Sequence, residues 1–237
     1  MKINIRIYII CALVLAVLAI TAYGLFELSK SRTFQFFGRL ASHADTDKKV
    51  VALTFDDAPT EYTDEVLKIL RENNVQATFY AIGQSLEKFP NQAKEIVRQG
   101  SELGNHSYSH RRLILKSQAF IKSEIEKTNQ LIRDSGYQGE ITFRPPNGKK
   151  LLGLPRYLNE NNIKTIMWDI EPDTNYSGNA ELITKNTLLN AKPGSIILLH
   201  PFCEKECAAD REALPKIISG LKEKGYVFAT ISELLKY

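Results

Sequence analysis

The stretch VVALTFDDAP, residues 50–59, decides the fold. Val50 to Phe55 is a short apolar run rich in β-branched residues, the pattern of a strand buried on both faces. Two carboxylates, Asp56 and Asp57, stand at its carboxyl end. Tyr62 to Asn73 then brings Val66, Leu67, Ile69 and Leu70 to one face of a helix. The same alternation continues to the C-terminus. Strands are expected at residues 77–82, 102–105, 141–143, 164–168, 195–199 and 227–230, and helices at 85–99, 117–134, 154–161, 180–190 and 211–224. About seven β/α units without a linker-like interruption make residues 49–237 one α/β domain with a parallel sheet. An open doubly wound sheet and a closed barrel share this periodicity.

Upstream of the domain the chain has a different character. Residues 7–26 (IYIICALVLAVLAITAYGLF) carry no charge, and about 20 apolar residues suffice for a helix to cross the hydrocarbon. Lys2 and Arg6 precede the run, so residues 1–6 are expected as a cytoplasmic head and the following domain on the outer side. A signal peptide shares the basic head and apolar core, and cleavage would make the protein secreted. Residues 27–48 lack sustained periodicity and are expected as a stalk, with His43 a solvated linker residue.

Charge and cysteine usage exclude other classes. The chain of 237 residues has Lys+Arg 31 against Asp+Glu 27, and most of that excess lies before residue 49. The folded part is nearly neutral, so no nucleic-acid partner is expected. Three cysteines provide no disulfide framework. Cys203 and Cys207, four apart, are compatible with a local bridge or with two free thiols.

The polar residues fall just after the strands, at the end where α/β folds place their sites. Asp56 and Asp57 follow the first strand, His106 and His110 the third, Arg144 to Gly148 the fourth, Asp169 to Asp173 the fifth and His200 the sixth. His106 and His110 would share one side of a turn if that stretch were helical, and one aspartate would complete a His₂-carboxylate metal site with open positions. Adjacent carboxylates point in different directions, so one can hold an ion while the other faces substrate as a base.

These residues resemble the polysaccharide deacetylases with the NodB homology domain, family 4 of the carbohydrate esterases. Thr54-Phe55-Asp56-Asp57-Ala58-Pro59 is similar to that family's TFDDGP motif, and His106-Ser107-Tyr108-Ser109-His110 stands where its second histidine motif would. Arg144-Pro145-Pro146-Asn147-Gly148 resembles RPPYG, and Leu198-Leu199-His200 resembles LxH. The resemblance implies a distorted, incomplete (β/α) barrel. It also implies that Asp57, His106 and His110 bind a divalent metal, usually zinc, with Co2+, Ni2+, Fe2+ or Mn2+ as other candidates. Asp56 would be the general base, Arg144 its charge partner and His200 the acid toward the leaving amine. The main-chain N–H of Asn147 would stabilise the oxyanion, and Pro146, Asn147 and Trp168 would contact substrate. Two departures stand out: Ala58 replaces glycine, which requires a negative φ there, and the fourth motif is reduced to residues 168–174, without a Trp after the acid. Asp173 is expected to orient His200, with Asp169 and Glu171 as alternatives.

The expected activity is metal-dependent N-deacetylation of an N-acetylated glycan, peptidoglycan first, outside the cytoplasmic membrane. The alternatives are a non-catalytic carbohydrate-binding protein on the same fold and a hydrolase of a non-sugar amide.

Overall fold

The computed structural model describes residues 5–237, so the head expected at residues 1–6 lies largely outside the described residues. Helix α1 (Ile5–Ser29) is apolar around its circumference. Its 22-residue stretch Tyr8–Ser29 is long and apolar enough to cross a membrane or to serve as a signal sequence; its apolar window is not buried against the domain, and only its end, at Ser29, is. After it come β1 (Leu40–Ala41), β2 (Val50–Ala58), α2 (Thr63–Glu72), β3 (Thr78–Ala81), α3 (Gly83–Lys88), α4 (Pro90–Arg98), β4 (Glu102–Asn105) and α5 (Gln118–Asp134). A 3₁₀ turn (Pro146–Gly148), α6 (Gly153–Glu160), β5 (Thr165–Ile166), α7 (Ala180–Asn190), β6 (Ile196–Leu199), α8 (Ala208–Glu223), β7 (Val227–Phe228) and α9 (Ile231–Leu234) complete the chain.

Every ladder among the described residues is parallel. The central sheet runs β4-β3-β2-β6, with β7 paired to the start of β2. Single bridges, Asn105 to Phe143 and Phe143 to Thr165, carry the ring on to β5, and β5 pairs with β1. The result is an incomplete (β/α) barrel, the closed alternative that periodicity left open. Residues 141–143, expected as a full strand, contribute only the bridges at Phe143.

The pleat of β2 sorts its side chains. Val51, Leu53 and Phe55 face the helices and pack with Phe79, Ile197, Leu214 and Ile217. Val50 and Ala52 face inward with Tyr80, Met167 and Leu198, and the same alternation points Thr54 and Asp56 into the barrel. Phe55 is fully buried, 5.1 Å from the Phe79 ring and 6.1 Å from Phe202. Phe202 belongs to the loop just after β6, so the same aromatic cluster that fills the core fixes that loop. Truncating Phe55 to alanine would cost about 3–5 kcal/mol.

Helix boundaries follow local chemistry. The helix expected at 85–99 is split into α3 and α4, because Pro90 cannot donate into a continuing helix and opens a new one at its first position. Ser117 caps α5 by accepting from Phe120 N at 3.2 Å, and Asn179 caps α7 through Leu182 N at 3.0 Å.

The expected stalk is corrected by the structure. Thr165 N donates to Arg39 O, Met167 N to Ala41 O at 2.7 Å and Ala44 N to Gly194 O at 2.9 Å. Residues 39–44 therefore lie between β5 and β6 as a stave of the barrel. His43 is no linker residue either: it bridges to Ser195, and its Nδ1 donates to Asp169 Oδ2 at 2.9 Å. These partners lie about 125 to 155 residues away in sequence, and local periodicity carries no signal for such pairing. A chain beginning at residue 49 loses these bonds, each contributing about 1 kcal/mol. Its unfolding temperature should fall by roughly 10 °C relative to a chain beginning at residue 33, as read by circular dichroism.

Candidate active site

Asp56 and Asp57 reach the barrel mouth by different routes. Asp56 arrives by the strand alternation and is 2 % exposed. The pleat would send Asp57 to the opposite face. A register shift between Asp56 and Ala58 and a left-handed φ of 68° at Asp57 turn its side chain to the mouth instead. Ala58 itself has no positive φ and is fully buried, which explains how alanine can occupy a glycine position.

The histidine motif is not helical. Ser107 and His110 have φ of 66° and 55°, and the five residues form a loop. Asn105 and Glu124 shape it. Asn105 Oδ1 accepts from Ser107 N at 2.8 Å. Glu124, buried on α5, accepts from Tyr108 N at 3.1 Å, Ser109 N at 2.8 Å and Ser109 Oγ at 2.8 Å. Sequence reasoning missed Glu124, although an acid between Ile121, Ile125 and Thr128 on the inward stripe of an amphipathic helix is a readable signal.

His106 Nδ1 donates to Arg144 O at 2.7 Å, so in the neutral ring Nε2 is the free lone pair. That Nε2 lies 3.8 Å from Asp57 Oδ1, and His110 Nε2 lies 3.3 Å from the same oxygen. The ligand atoms of Asp57, His106 and His110 all lie within 4.8 Å of one another. Asp57 Oδ1 is buried and has no hydrogen-bond partner. Burial, and then the neighbouring His106, push His110 below the ordinary imidazole value, which favours its neutral, ligating form. Electron-rich atoms converging without a hydrogen between them fit a divalent cation, and a carboxylate with two imidazoles suits zinc and its first-row neighbours.

Asp56 faces Arg144. The guanidinium is fully buried; Nη1 donates to Asp56 Oδ1 at 2.8 Å and to Thr54 Oγ1 at 2.9 Å, Nη2 to Met167 O at 3.1 Å and Nε to Ile166 O at 3.3 Å. It lies 4.1 Å from the centre of the Tyr80 ring. Burial alone would raise the Asp56 pKa; Arg144, with His106 and His200, outweighs it and holds the carboxyl below its ordinary value. Asp56 is therefore ionised at neutral pH, with Oδ2 3.4 Å from His106 Nε2.

His200 is met by Asp173, as expected of the degenerate fourth motif. Asp173 Oδ2 accepts both His200 Nδ1 at 2.8 Å and His200 N at 2.7 Å. The two alternatives are engaged elsewhere: Asp169 with His43, Ser195 and the Ile196 amide, Glu171 with Arg32, Trp168 Nε1 and Thr174. Burial lowers the His200 pKa, and the Asp173 hydrogen bond and charge overcome this and bring it to about 9. Just beyond it, Cys203 and Cys207 are joined in a disulfide, Cα to Cα 5.1 Å, and Arg211 clasps the loop through the carbonyls of Pro201, Cys203 and Glu204.

Asp56, Asp57, His106, His110 and His200 line one cleft of about 430 Å3, walled also by Asn147, Gly148, Met167, Trp168, Glu171 and Thr174. Asn147 (φ 54°) and Gly148 (φ 64°) form a left-handed turn, and a Cβ on Gly148 would come within 3.1 Å of Trp168. Pro146, expected to touch substrate, does not line the cleft; it is buried in the turn, where its carbonyl accepts from Lys149 N. Trp168 lines the cleft, with Arg32 4.7 Å from its ring centre. Lys30, Arg32 and Lys149 also line it. Lys30 and Arg32 were missed because charges after an apolar helix look like ordinary flanking residues.

Two outcomes follow from this geometry. Glu124→Ala strands the partly buried amides of Tyr108 and Ser109, so metal affinity should fall about tenfold or more by calorimetry and stability by about 1 kcal/mol per unpaired group. Asp173→Asn removes the counter-charge of His200 and should move the alkaline limb of the pH–rate profile down by about one to two pH units, with metal content unchanged. Since the folded His200 value of about 9 exceeds 6.5, its stabilisation is complete below pH 6.5 and disappears as pH rises through about 9; the Asn variant should lack this pH-dependent part in thermal melts.

Known proteins share both sequence and fold. The family model described as polysaccharide deacetylase matches residues 43–166. A peptidoglycan-N-acetylglucosamine deacetylase of Bacillus cereus is 37 % identical over 192 residues, covering 80 % of this chain and 70 % of its own length. A solved peptidoglycan N-acetylglucosamine deacetylase in complex with 4-naphthalen-1-yl-N-oxidanyl-benzamide superposes with a TM-score of 0.78 at 35 % identity, covering 82 % of this chain and 92 % of that one. A CE4 family pseudoenzyme from Bacillus anthracis superposes with a TM-score of 0.74 at 31 % identity, covering 82 % and 68 %.

Proposed function

The chain belongs to the polysaccharide deacetylase family and is a hydrolase of acetamido groups, and we propose that it removes the acetyl group from N-acetylglucosamine residues of peptidoglycan or a related polymer. Because a pseudoenzyme shares the fold, the reading rests on side chains rather than topology. The observation that supports it most is the unpartnered, buried Oδ1 of Asp57 facing His106 and His110, beside an ionised carboxylate and a protonated imidazole.

In this reading Asp57, His106 and His110 hold a divalent metal, zinc in the first place. When bound, such an ion would polarise the acyl oxygen and make water acidic enough to react near neutral pH. Asp56 takes the proton from the attacking water at Oδ2, since its Oδ1 is engaged by Arg144. Arg144 keeps that carboxylate charged and aimed. His200, with Nδ1 donating to Asp173, gives its Nε2 proton to the leaving amine. The Asn147 amide on the cleft wall stabilises the oxyanion, and Trp168 packs against the sugar. Helix α1 anchors the domain at the outer face of the cytoplasmic membrane, where cell-wall glycan is within reach.

Acetate release from de-O-acetylated peptidoglycan and from N-acetylglucosamine oligomers tests the activity. Asp57→Ala should lose the metal and all turnover, whereas Asp56→Asn should keep about one equivalent of metal and lose about 100-fold or more in kcat. Chelation should abolish acetate release and added zinc restore it. Equal metal loss in both variants would reject the division of roles.

A further inference from the structure

Three cations stand at one edge of the cleft without a role in the chemistry above. Lys30 and Lys149 line the same cavity as Asp57, His106 and His200, and their ammonium groups lie 4.9 Å and 4.6 Å from the Phe26 ring centre. Arg112, two residues beyond His110, joins them by donating from Nε to Asn147 Oδ1 at 2.8 Å. Opposing charge is sparse here. Lys30 pairs with Glu27 at 2.8 Å, and among the described residues no carboxylate forms an ion pair with Lys149 or Arg112. The fourth cation of the wall, Arg32, is matched by Glu171. Burial first, and then the charges of Lys30 and Arg112 against that of Glu27, push Lys149 below the ordinary lysine value.

We propose that Lys30, Lys149 and Arg112 form a subsite for a carboxylate borne by the glycan, so that the cleft selects an N-acetylglucosamine polymer with anionic substituents over a neutral one. The inference rests on the reading that this cleft binds an N-acetylated glycan, and it assigns the substrate class within that reading. Charges beside an apolar helix also meet phospholipid headgroups. Here two of the three come from the segments that build the site, the turn at residues 146–149 and the loop after His110, and two face the cleft that holds the candidate metal ligands. This position favours the glycan.

Trp168 is the chain's one tryptophan and lies in the cleft, so its fluorescence reports binding without turnover. The full chain in neutral detergent micelles is titrated with chitotetraose and with a peptide-free tetrasaccharide of equal length carrying two carboxylates. Acetate release is followed in parallel. The carboxylated glycan should bind more tightly, and its advantage should shrink between 0.05 and 0.5 M salt. In the Lys30→Gln/Lys149→Gln variant the ratio of the two affinities should fall about fivefold or more, and Lys30→Arg/Lys149→Arg should restore it. An unchanged ratio, or a parallel loss for both glycans, overturns the proposal, as does a change confined to binding of phosphatidylglycerol vesicles, which would assign the cations to the membrane. If neither glycan quenches Trp168 or yields acetate, the glycan reading itself fails; equal, salt-independent affinities with acetate released reject the subsite alone.

Discussion

The buried pair of Arg144 and Asp56 constrains everything else in the barrel. A guanidinium with no exposed surface must have its donors satisfied, and here they are spent on Asp56, the Thr54 hydroxyl and the carbonyls of Ile166 and Met167. Those acceptors belong to β2 and to the end of β5, and Thr54 in turn donates to Ile197 O on β6. One side chain thus ties three staves together at the mouth. Such a pair adds little net stability, because desolvation offsets most of its attraction, yet removing one partner costs about 3–5 kcal/mol. Its consequence is positional: the carboxylate can neither neutralise itself nor rotate away.

With Asp56 so fixed, its neighbour must take another task. Two adjacent residues on a regular strand point to opposite faces, so a second acid at the mouth requires a break in the strand. The bulge and left-handed backbone at Asp57 supply it. Ser107, His110 and Asn147 adopt the same region around the same cleft, and for non-glycine residues it costs of order 1 kcal/mol or more each. Hydrogen bonds from buried side chains hold such backbone in place, Glu124 under the histidine loop above all. The strain lies where side chains must converge and is scarce in the helices that face solvent.

This also explains what was legible beforehand. The strand at residue 50, the helical stripes and the position of polar residues after strands depend on local pattern, and the structure keeps them with shifts of a few residues. Asp173 was separable from Asp169 and Glu171 only by its contact with His200, which no spacing encodes. An i, i+4 histidine pair has helical spacing and leaves a helical turn at 106–110 open, whereas Asn105 and Glu124 impose a different path. The stave at 39–44 was missed for a stronger reason. A strand of two residues has no period, and its register comes wholly from partners more than a hundred residues away.

That stave changes how the apolar helix relates to the cleft. A stalk would let the domain swing freely, but Arg39 follows Ser29 by only ten positions, and both ends are docked: Lys150 N donates to Ser29 O at 2.8 Å and Thr165 N to Arg39 O at 3.0 Å. Lys150 Nζ is bound to Ser31 O as well, and Arg32 rests on Trp168. Ten residues can span about 33 Å when extended, yet these are pinned at several points. The segment therefore works as a wall of the cleft, and the orientation of the cleft relative to α1 is set by short-range bonds. With α1 as the proposed anchor, the cleft would stand at a fixed height above the membrane surface, and Lys30 and Arg32, which line it beside the candidate metal ligands, would face the glycan from the anchor's side.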